Sequence, residues 1–289
     1  MKFALARDSR IGARRINQDR LGTWRTAQSL LLVVADGMGG HPRGEVAAQV
    51  AVDLFGAAFQ RDAMPRIADP DGFLACTLSA GHAAILLEGE RLGLADTPRT
   101  VIVACVVQDG TVHWNHVGDC RLYHVRNGRI LHRTRDHTVV QRLLDQGRIR
   151  EEAIATHPER NRLLQALGGH QAPRPEPAAR QRLEKGDVLL LCSDGFWGPL
   201  TQRQMLHALM ARPFGEAIPE LVALAEARAG AQCDNVTVLA LSWAEDRIAE
   251  TQPLPVTAPD TECVYMTDEE IEKAIDELKL ALRRSAEPK

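Results

Sequence analysis

Leu30-Leu31-Leu32-Val33-Val34 is a continuous apolar run of strand length, and it ends in Ala35-Asp36-Gly37-Met38-Gly39-Gly40-His41. Unbroken apolar character, rather than alternation, is the pattern of a strand buried on both faces. Gly44 to Val52 follows and reads as a buried helix reaching about Phe59. Residues 61–72 carry Pro, Asp and Gly and read as a loop. Phe73 to Leu92 reads as a second helix with Phe73, Cys76, Thr77, Ala80, Ala84 and Leu87 on one face.

The period then changes. Thr100 to Val107 is β-branched and apolar, Asp109-Gly110 turns, and Thr111 to Val117 alternates. Gly118-Asp119 interrupts, Cys120 to Arg126 resumes, Asn127-Gly128 turns again and Arg129 to Thr134 returns. Two such dipeptides between strand-like runs predict an antiparallel meander. Residues 135–182 differ: short helices are expected at Thr138 to Gln146 and Arg160 to Leu167, then a Pro-rich stretch, as an insertion standing off the main body. Asp187 to Cys192 is a second buried strand and runs into Ser193-Asp194-Gly195. Helices are expected at 202–211 and 215–229, and Gln232-Cys233-Asp234-Asn235 opens a last strand, Val236 to Trp243.

Past Trp243 the pattern thins to Pro, Thr, Asp and Glu, a linker at about 247–266. Thr267-Asp268-Glu269-Glu270 then reads as a capping box. Ile271, Ala274, Ile275, Leu278 and Leu282 form one apolar stripe, so 267–285 is expected to be an amphipathic helix. A helix so short is marginal alone. Its stripe needs a surface: the chain's own body, a second copy, or a partner.

Composition narrows the classes. A formal charge of −3 leaves no nucleic-acid footprint and no polybasic membrane patch. No apolar run approaches 18 residues, so no membrane span is expected, and the N-terminal apolar run is too short for a signal peptide. Six cysteines without a Cys-x-x-Cys pair suggest a reduced, cytoplasmic protein with neither a zinc site nor a disulfide frame.

Four aspartates share one context: Asp36, Asp119, Asp194 and Asp234 each adjoin a hydrophobic strand. For any one of them a tight turn accounts for the sequence equally well. Four could converge on one rim of a sheet pair, and carboxylates so crowded need cations to offset their repulsion. An all-oxygen pocket, including the Gly37 carbonyl, suits Mg²⁺ or Mn²⁺.

Arg14-x-x-x-Gln18-Asp19, Ala35 to His41, Gly118-Asp119-Cys120-Arg121, Ser193-Asp194-Gly195 and Asp234-Asn235 stand in an order and spacing that resembles the metal-dependent serine/threonine phosphatases of the protein phosphatase 2C, or PPM, family, most of all its bacterial members. His157-Pro158-Glu159-Arg160-Asn161 and Gln165-Ala166-Leu167-Gly168 resemble the family's flap. The resemblance implies an α+β fold, a four-layer α/β/β/α sandwich around a central antiparallel β-sandwich. It makes residues 1–246 a phosphatase domain with its flap at about 135–182. It implies two Mn²⁺ or Mg²⁺ ions, with Asp36 bridging them and the Gly37 carbonyl binding one. Asp194 and Asp234 would complete the first site, Asp119 would hold a third, labile ion together with Asp194, and Asp19 would act through the water shell. Arg14 would grip the substrate phosphate. His41 is the nearest candidate in sequence for the acid that protonates the leaving group; otherwise it is a loop histidine held by hydrogen bonds. The implied partners are phosphorylated proteins, substrates of a serine/threonine kinase.

The chain departs from the family's pattern in places. Gln18 stands where many relatives carry Glu, which removes a charge beside the metals. Pro98-Arg99-Thr100-Val101 replaces a family Met-Gly-Thr-Thr. Asp136-His137 resembles a family position near the flap, or is a turn followed by a helix cap; Arg160 and Arg162 are solvated helix charges or phosphopeptide contacts. Cys192, two residues before Asp194, is either a buried core residue or a low-pKa thiol near the metals. The rival to an enzyme is a pseudophosphatase that binds a phosphoprotein without turnover. Gln18 favours it, while the four aspartates and Arg14 oppose it.

Overall fold

The computed structural model describes residues 1–41, 43–174 and 177–244. The linker expected at 247–266, the amphipathic helix expected at 267–285 and Cys263 lie outside these residues.

Among the described residues, ten strands form two five-stranded sheets, and every pairing is antiparallel. One sheet holds β2 (Arg20–Arg25), β3 (Ser29–Gly37), β4 (Thr100–Gln108), β5 (Thr111–Val117) and β8 (Ala179–Arg182), in that order. The other runs β1 (Phe3–Arg10), β10 (Val236–Trp243), β9 (Val188–Cys192), β6 (Arg121–Arg126), β7 (Arg129–Arg133). Helices α1 (Gly44–Asp62) and α2 (Pro70–Arg91) pack on the first sheet, and α4 (Asp194–Trp197), α5 (Gln202–Ala211) and α6 (Phe214–Ala229) on the second. The short α3 (Val139–Asp145) lies in the insertion.

Three apolar layers follow from four layers of structure, and the strand sequences show how. Side chains alternate faces along a strand. Leu31, Val33 and Ala35 of β3 therefore enter the layer under α1 and α2, while Leu30, Leu32 and Val34 enter the layer between the sheets. In β10, Leu239 and Leu241 face the inter-sheet layer and Val236, Val238 and Ala240 face the α4–α6 side. Both faces are covered, so these strands read as unbroken apolar runs. The expected sandwich is thus present, but the expected meander is split: β4–β5 and β6–β7 are hairpins in different sheets, because the chain crosses from one sheet to the other at Gly118-Asp119.

Several details differ from expectation. Arg160 to Leu167 is not helical: Leu163 and Leu167 make backbone bridges to Thr138 and Thr100. The Thr100–Leu167 bridge, with Leu167 buried in the layer under α1 and α2, staples the insertion to the body rather than leaving it standing off. The buried face of α2 overlaps the expected stripe only in part: Phe73, Thr77 and Ala84 are buried as expected, Leu74, Leu78 and Ile85 are buried beside them, and Cys76, Ala80 and Leu87 are only partly covered. By length and composition α2 could cross a bilayer, against the expectation from apolar runs; here it is a core helix. β1, β2 and β8 were not legible as strands.

Candidate metal centre

Strand register brings the predicted aspartates to one end of the sandwich. Asp36 is the penultimate residue of β3, opposite Val101 of β4. Asp19 immediately precedes β2, whose Arg20 pairs with Ala35, so Asp19 and Asp36 are neighbours across the sheet. Asp119 lies in the two-strand connection where β5 leaves one sheet and β6 enters the other. Asp194 opens α4 just past β9, and Asp234 stands just before β10, the antiparallel neighbour of β9.

The backbone at these points is tightly constrained. A Cβ on Gly37 would lie 2.3 Å from the Gly44 carbonyl oxygen, so the turn after Asp36 can close on the start of α1 only without a side chain. Gly118 has φ +99°, and a Cβ there would meet Val101 Cγ1 at 2.1 Å. Both facts make glycine a requirement beside an aspartate. Thr100 Oγ1 donates to the Asp36 carbonyl at 2.7 Å. Ser193 Oγ donates to Asp19 Oδ2 at 2.7 Å and accepts from the Thr237 amide at 3.1 Å. Asn235 ties the Arg14 loop down: its Oδ1 accepts from the Gln18 amide at 2.8 Å and its Nδ2 donates to the carbonyls of Ile11 and Ile16.

Crowding dominates the electrostatics. Burial, then the charges of Asp19, Asp194, Asp119 and Asp234, pushes the Asp36 carboxyl well above the ordinary range. Burial pushes Asp119 well up, with Asp194 and Asp136 adding to it. Asp19 rises to about 6 through burial, partly offset by hydrogen bonds from Ser193 and Thr237. Asp194 also rises to about 6, through burial and then the charge of Asp234. Asp36, Asp194 and Asp234 keep some exposure, so the cluster opens to solvent, whereas Asp19 is 3% exposed.

The donor set fits hard divalent cations. Every group is an oxygen, and Asp19 Oδ1 is buried without a hydrogen-bond partner. An oxygen of that kind wants a cation or a cation-bound water. Among the described residues no three His, Cys, Asp or Glu side chains are set to grip one ion by themselves. An ion here would draw the rest of its shell from water and the Gly37 carbonyl, as Mg²⁺ commonly does.

Arg14 sits at the edge of this cluster. Its Nη2 lies 2.6 Å from Asp234 Oδ2, and its guanidinium feels Asp194 and Asp36 as well. About half of the Arg14 side chain is exposed, so it is accessible to an incoming anion. His41 makes no hydrogen bond to the cluster: its Nδ1 is 2.9 Å from Asp96 Oδ2, and Asp96 also takes Arg99 Nη2 at 3.1 Å. Gln18 points its amide at Glu45 Oε2, 3.5 Å away, beside Gly39 and Gly44.

Sequence reasoning missed a buried group beside Asp119. Arg121 is held bidentately by Asp136, at 2.8 and 2.6 Å, and donates to the Tyr123 hydroxyl. Its Cζ lies 3.3 Å from the centroid of the Trp197 ring, a cation–π contact. Trp197 Nε1 donates to the Asp119 carbonyl at 3.0 Å, which connects the group to the cluster. Asp136 is therefore half of a buried ion pair, not a turn residue. The available signal was slight: Arg121 stands beside apolar residues of a strand, while Asp136 sits in a polar stretch that gives no hint of burial. The acidic-thiol reading of Cys192 is overturned: burial pushes that thiol up, and it is fully enclosed.

Comparison with known proteins agrees with this geometry. The protein phosphatase 2C family profile matches residues 8–229. The chain is 35% identical over 233 residues to serine/threonine protein phosphatase PstP of Mycobacterium tuberculosis, covering 79% of this chain and 43% of that protein. It is 31% identical over 226 residues to serine/threonine phosphatase Stp of Listeria monocytogenes, covering 77% and 88%. The chain thus spans less than half the length of the mycobacterial relative. A crystal structure of the catalytic domain of PstP in complex with two manganese ions superimposes with TM-score 0.71 at 31% identity, over 84% of this chain and 99% of that one. The serine/threonine phosphatase of S. agalactiae gives TM-score 0.76 at 27% identity, over 84% and 100%.

Proposed function

This chain belongs to the protein phosphatase 2C family, and we propose that it is a metal-dependent hydrolase of phosphoserine and phosphothreonine in proteins. The observation that carries the proposal is the gathering of Asp19, Asp36, Asp119, Asp194 and Asp234 at one sandwich end with Arg14 beside them. Asp36, Gly37, Asp119, Asp194 and Asp234 would hold Mn²⁺ or Mg²⁺, with Asp19 acting through water. When bound, such ions acidify water toward neutrality and offset charge on phosphoryl oxygens.

The chain's own residues do the rest. Arg14 leaves Asp234 to bind the phosphate, where a guanidinium can contact two oxygens at once. Asp19, fixed by Ser193, orients the attacking water through its unpaired Oδ1. Water attacks phosphorus in line, the P–O bond to the Ser or Thr oxygen breaks, and that oxygen takes a proton. His41 is the candidate donor. Asp96 at Nδ1 fixes the ring and leaves Nε2 as the nitrogen that would carry the proton to the leaving oxygen. Substrates are phosphorylated proteins made by a serine/threonine kinase. The setting is the cytoplasm, where reduced thiols such as the five free cysteines among the described residues are normal. Direct attack by water predicts one solvent oxygen in each phosphate released in ¹⁸O-water and no phosphorylated enzyme after acid quenching. A trapped phosphoenzyme would refute this route.

A further inference from the structure

Beside the metal cluster runs a groove of about 970 Å³ between the Met38 turn and the inner edge of the insertion. Its walls include Met38, Arg99, Leu163, Leu164, His170 and Arg174, and among the described residues no acidic side chain lines it. The groove adjoins the site through the backbone. The Met38 amide donates to the Arg99 carbonyl at 3.0 Å, and the next residue, Thr100, donates to the Asp36 carbonyl. A phosphorylated residue seated at Asp36 would therefore lead its neighbours in the chain past Arg99.

Arg99 is one of three residues, with Pro98 and Val101, at which this sequence departs from the family's Met-Gly-Thr-Thr. It is poised rather than neutralised. Only Nη2 reaches Asp96, at 3.1 Å, and that carboxylate is shared with His41 and the Thr97 amide. Arg99 Nε is buried with no acceptor, so Asp96 offsets the desolvation of this guanidinium only in part. Across the groove Arg174 is exposed, and its guanidinium has no acceptor among the described residues. Its backbone is fixed by Gln165 Oε1 at 2.7 Å. Two guanidinium groups on a partly apolar groove complement an extended peptide that carries a carboxylate.

We propose that this groove binds the polypeptide flanking the phosphorylated residue, and that Arg99 and Arg174 select substrates with an acidic side chain there. The proposal rests on the phosphatase reading and adds a sequence preference to it. The test compares two phosphothreonine peptides, identical except for Glu or Gln at the positions flanking phosphothreonine, together with an aryl phosphate that has no flanks. In Mn²⁺, the Glu peptide is expected to show about tenfold higher kcat/KM than the Gln peptide, carried mainly by KM and shrinking as salt rises. Arg99→Gln should bring the ratio near one. Arg174→Glu, a change at an exposed position that leaves folding intact, should invert it. A ratio near one in the parent, or a ratio unchanged in both variants, overturns the proposal while the aryl phosphate still reports on phosphatase activity. If the parent hydrolyses none of the three, the phosphatase reading fails. Fluorescence anisotropy of the two labelled peptides then decides the groove: tighter binding of the Glu peptide supports it, and equal affinity overturns it.

Discussion

Replacing Asp19 by Asn should make the metal-free protein more stable while weakening its response to metal. The Asp19 carboxyl stands at about 6 against an ordinary value of 3.8, chiefly because it is buried. Each tenfold shift in acidity is worth about 1.4 kcal/mol, so holding the charge there at neutral pH costs the fold about 3 kcal/mol. Asn keeps an oxygen for the Ser193 hydroxyl, which now donates at 2.7 Å. It also supplies N–H donors in place of the unpartnered Oδ1. A gain of about 1 to 3 kcal/mol corresponds to roughly 3 to 10 °C in Tm for a domain of this size. The direction with pH is fixed. A carboxyl whose folded value is raised takes nothing from stability well below pH 3.8, where it is protonated in both states; its penalty grows from about pH 4 to about 6 and levels off above that. Thermal melts in chelator at pH 4.5 and 7.5 should show a small gap between parent and variant at the lower pH and the full gap at the higher. Adding Mn²⁺ should raise the parent more than the variant, because a ligand stabilises the state that binds it. Equal stability at pH 7.5, or a gap that does not change with pH, would refute the reasoning.

Arg14→Ala should mainly raise KM for phosphopeptides, by about tenfold or more, since the residue binds the phosphate in the ground state; unchanged steady-state kinetics would remove it from the site. Asp187, fully buried, is held by Arg126 and His124 at about 2 despite the upward push of burial. Its contribution, about 2 to 3 kcal/mol, is present above about pH 4 and lost as pH falls through about 2. Asp187→Ala should cost about 3 to 5 kcal/mol in urea melts at pH 7, because it leaves the fully buried His124 without its partner and takes two acceptors from Arg126, which keeps only Glu184 and the Arg182 carbonyl. A cost under about 1 kcal/mol would show that the pair is dispensable.

The parts of the fold that were legible in the sequence are those whose local pattern agrees with their tertiary setting. β3, β4, β9 and β10 are covered on both faces, so their apolar runs announce them. β1 and β2 carry arginines on partly exposed faces. β8, Ala-Arg-Gln-Arg, is a strand only because β5 offers it an edge. Arg160 to Leu167 has helical spacing, yet Thr138 and Thr100 claim its backbone. The aspartates were visible because each ends or begins a strong strand next to a glycine or an asparagine. Their helpers were not. Asp96 meets His41 across 55 residues, Arg121 meets Asp136 across the β6–β7 hairpin, and Trp197 reaches Asp119 across 78 residues. Such contacts are products of topology and leave no local periodicity.

Phosphate release from a phosphothreonine peptide, followed with added Mn²⁺, with EDTA, and in Asp36→Asn and Asp194→Asn variants confirmed as folded, tests the central claim most directly. The account predicts turnover in Mn²⁺, none in EDTA, recovery when Mn²⁺ is restored, and a loss of several orders of magnitude in kcat for each variant. Turnover that persists in EDTA, or that survives in either variant, would contradict it.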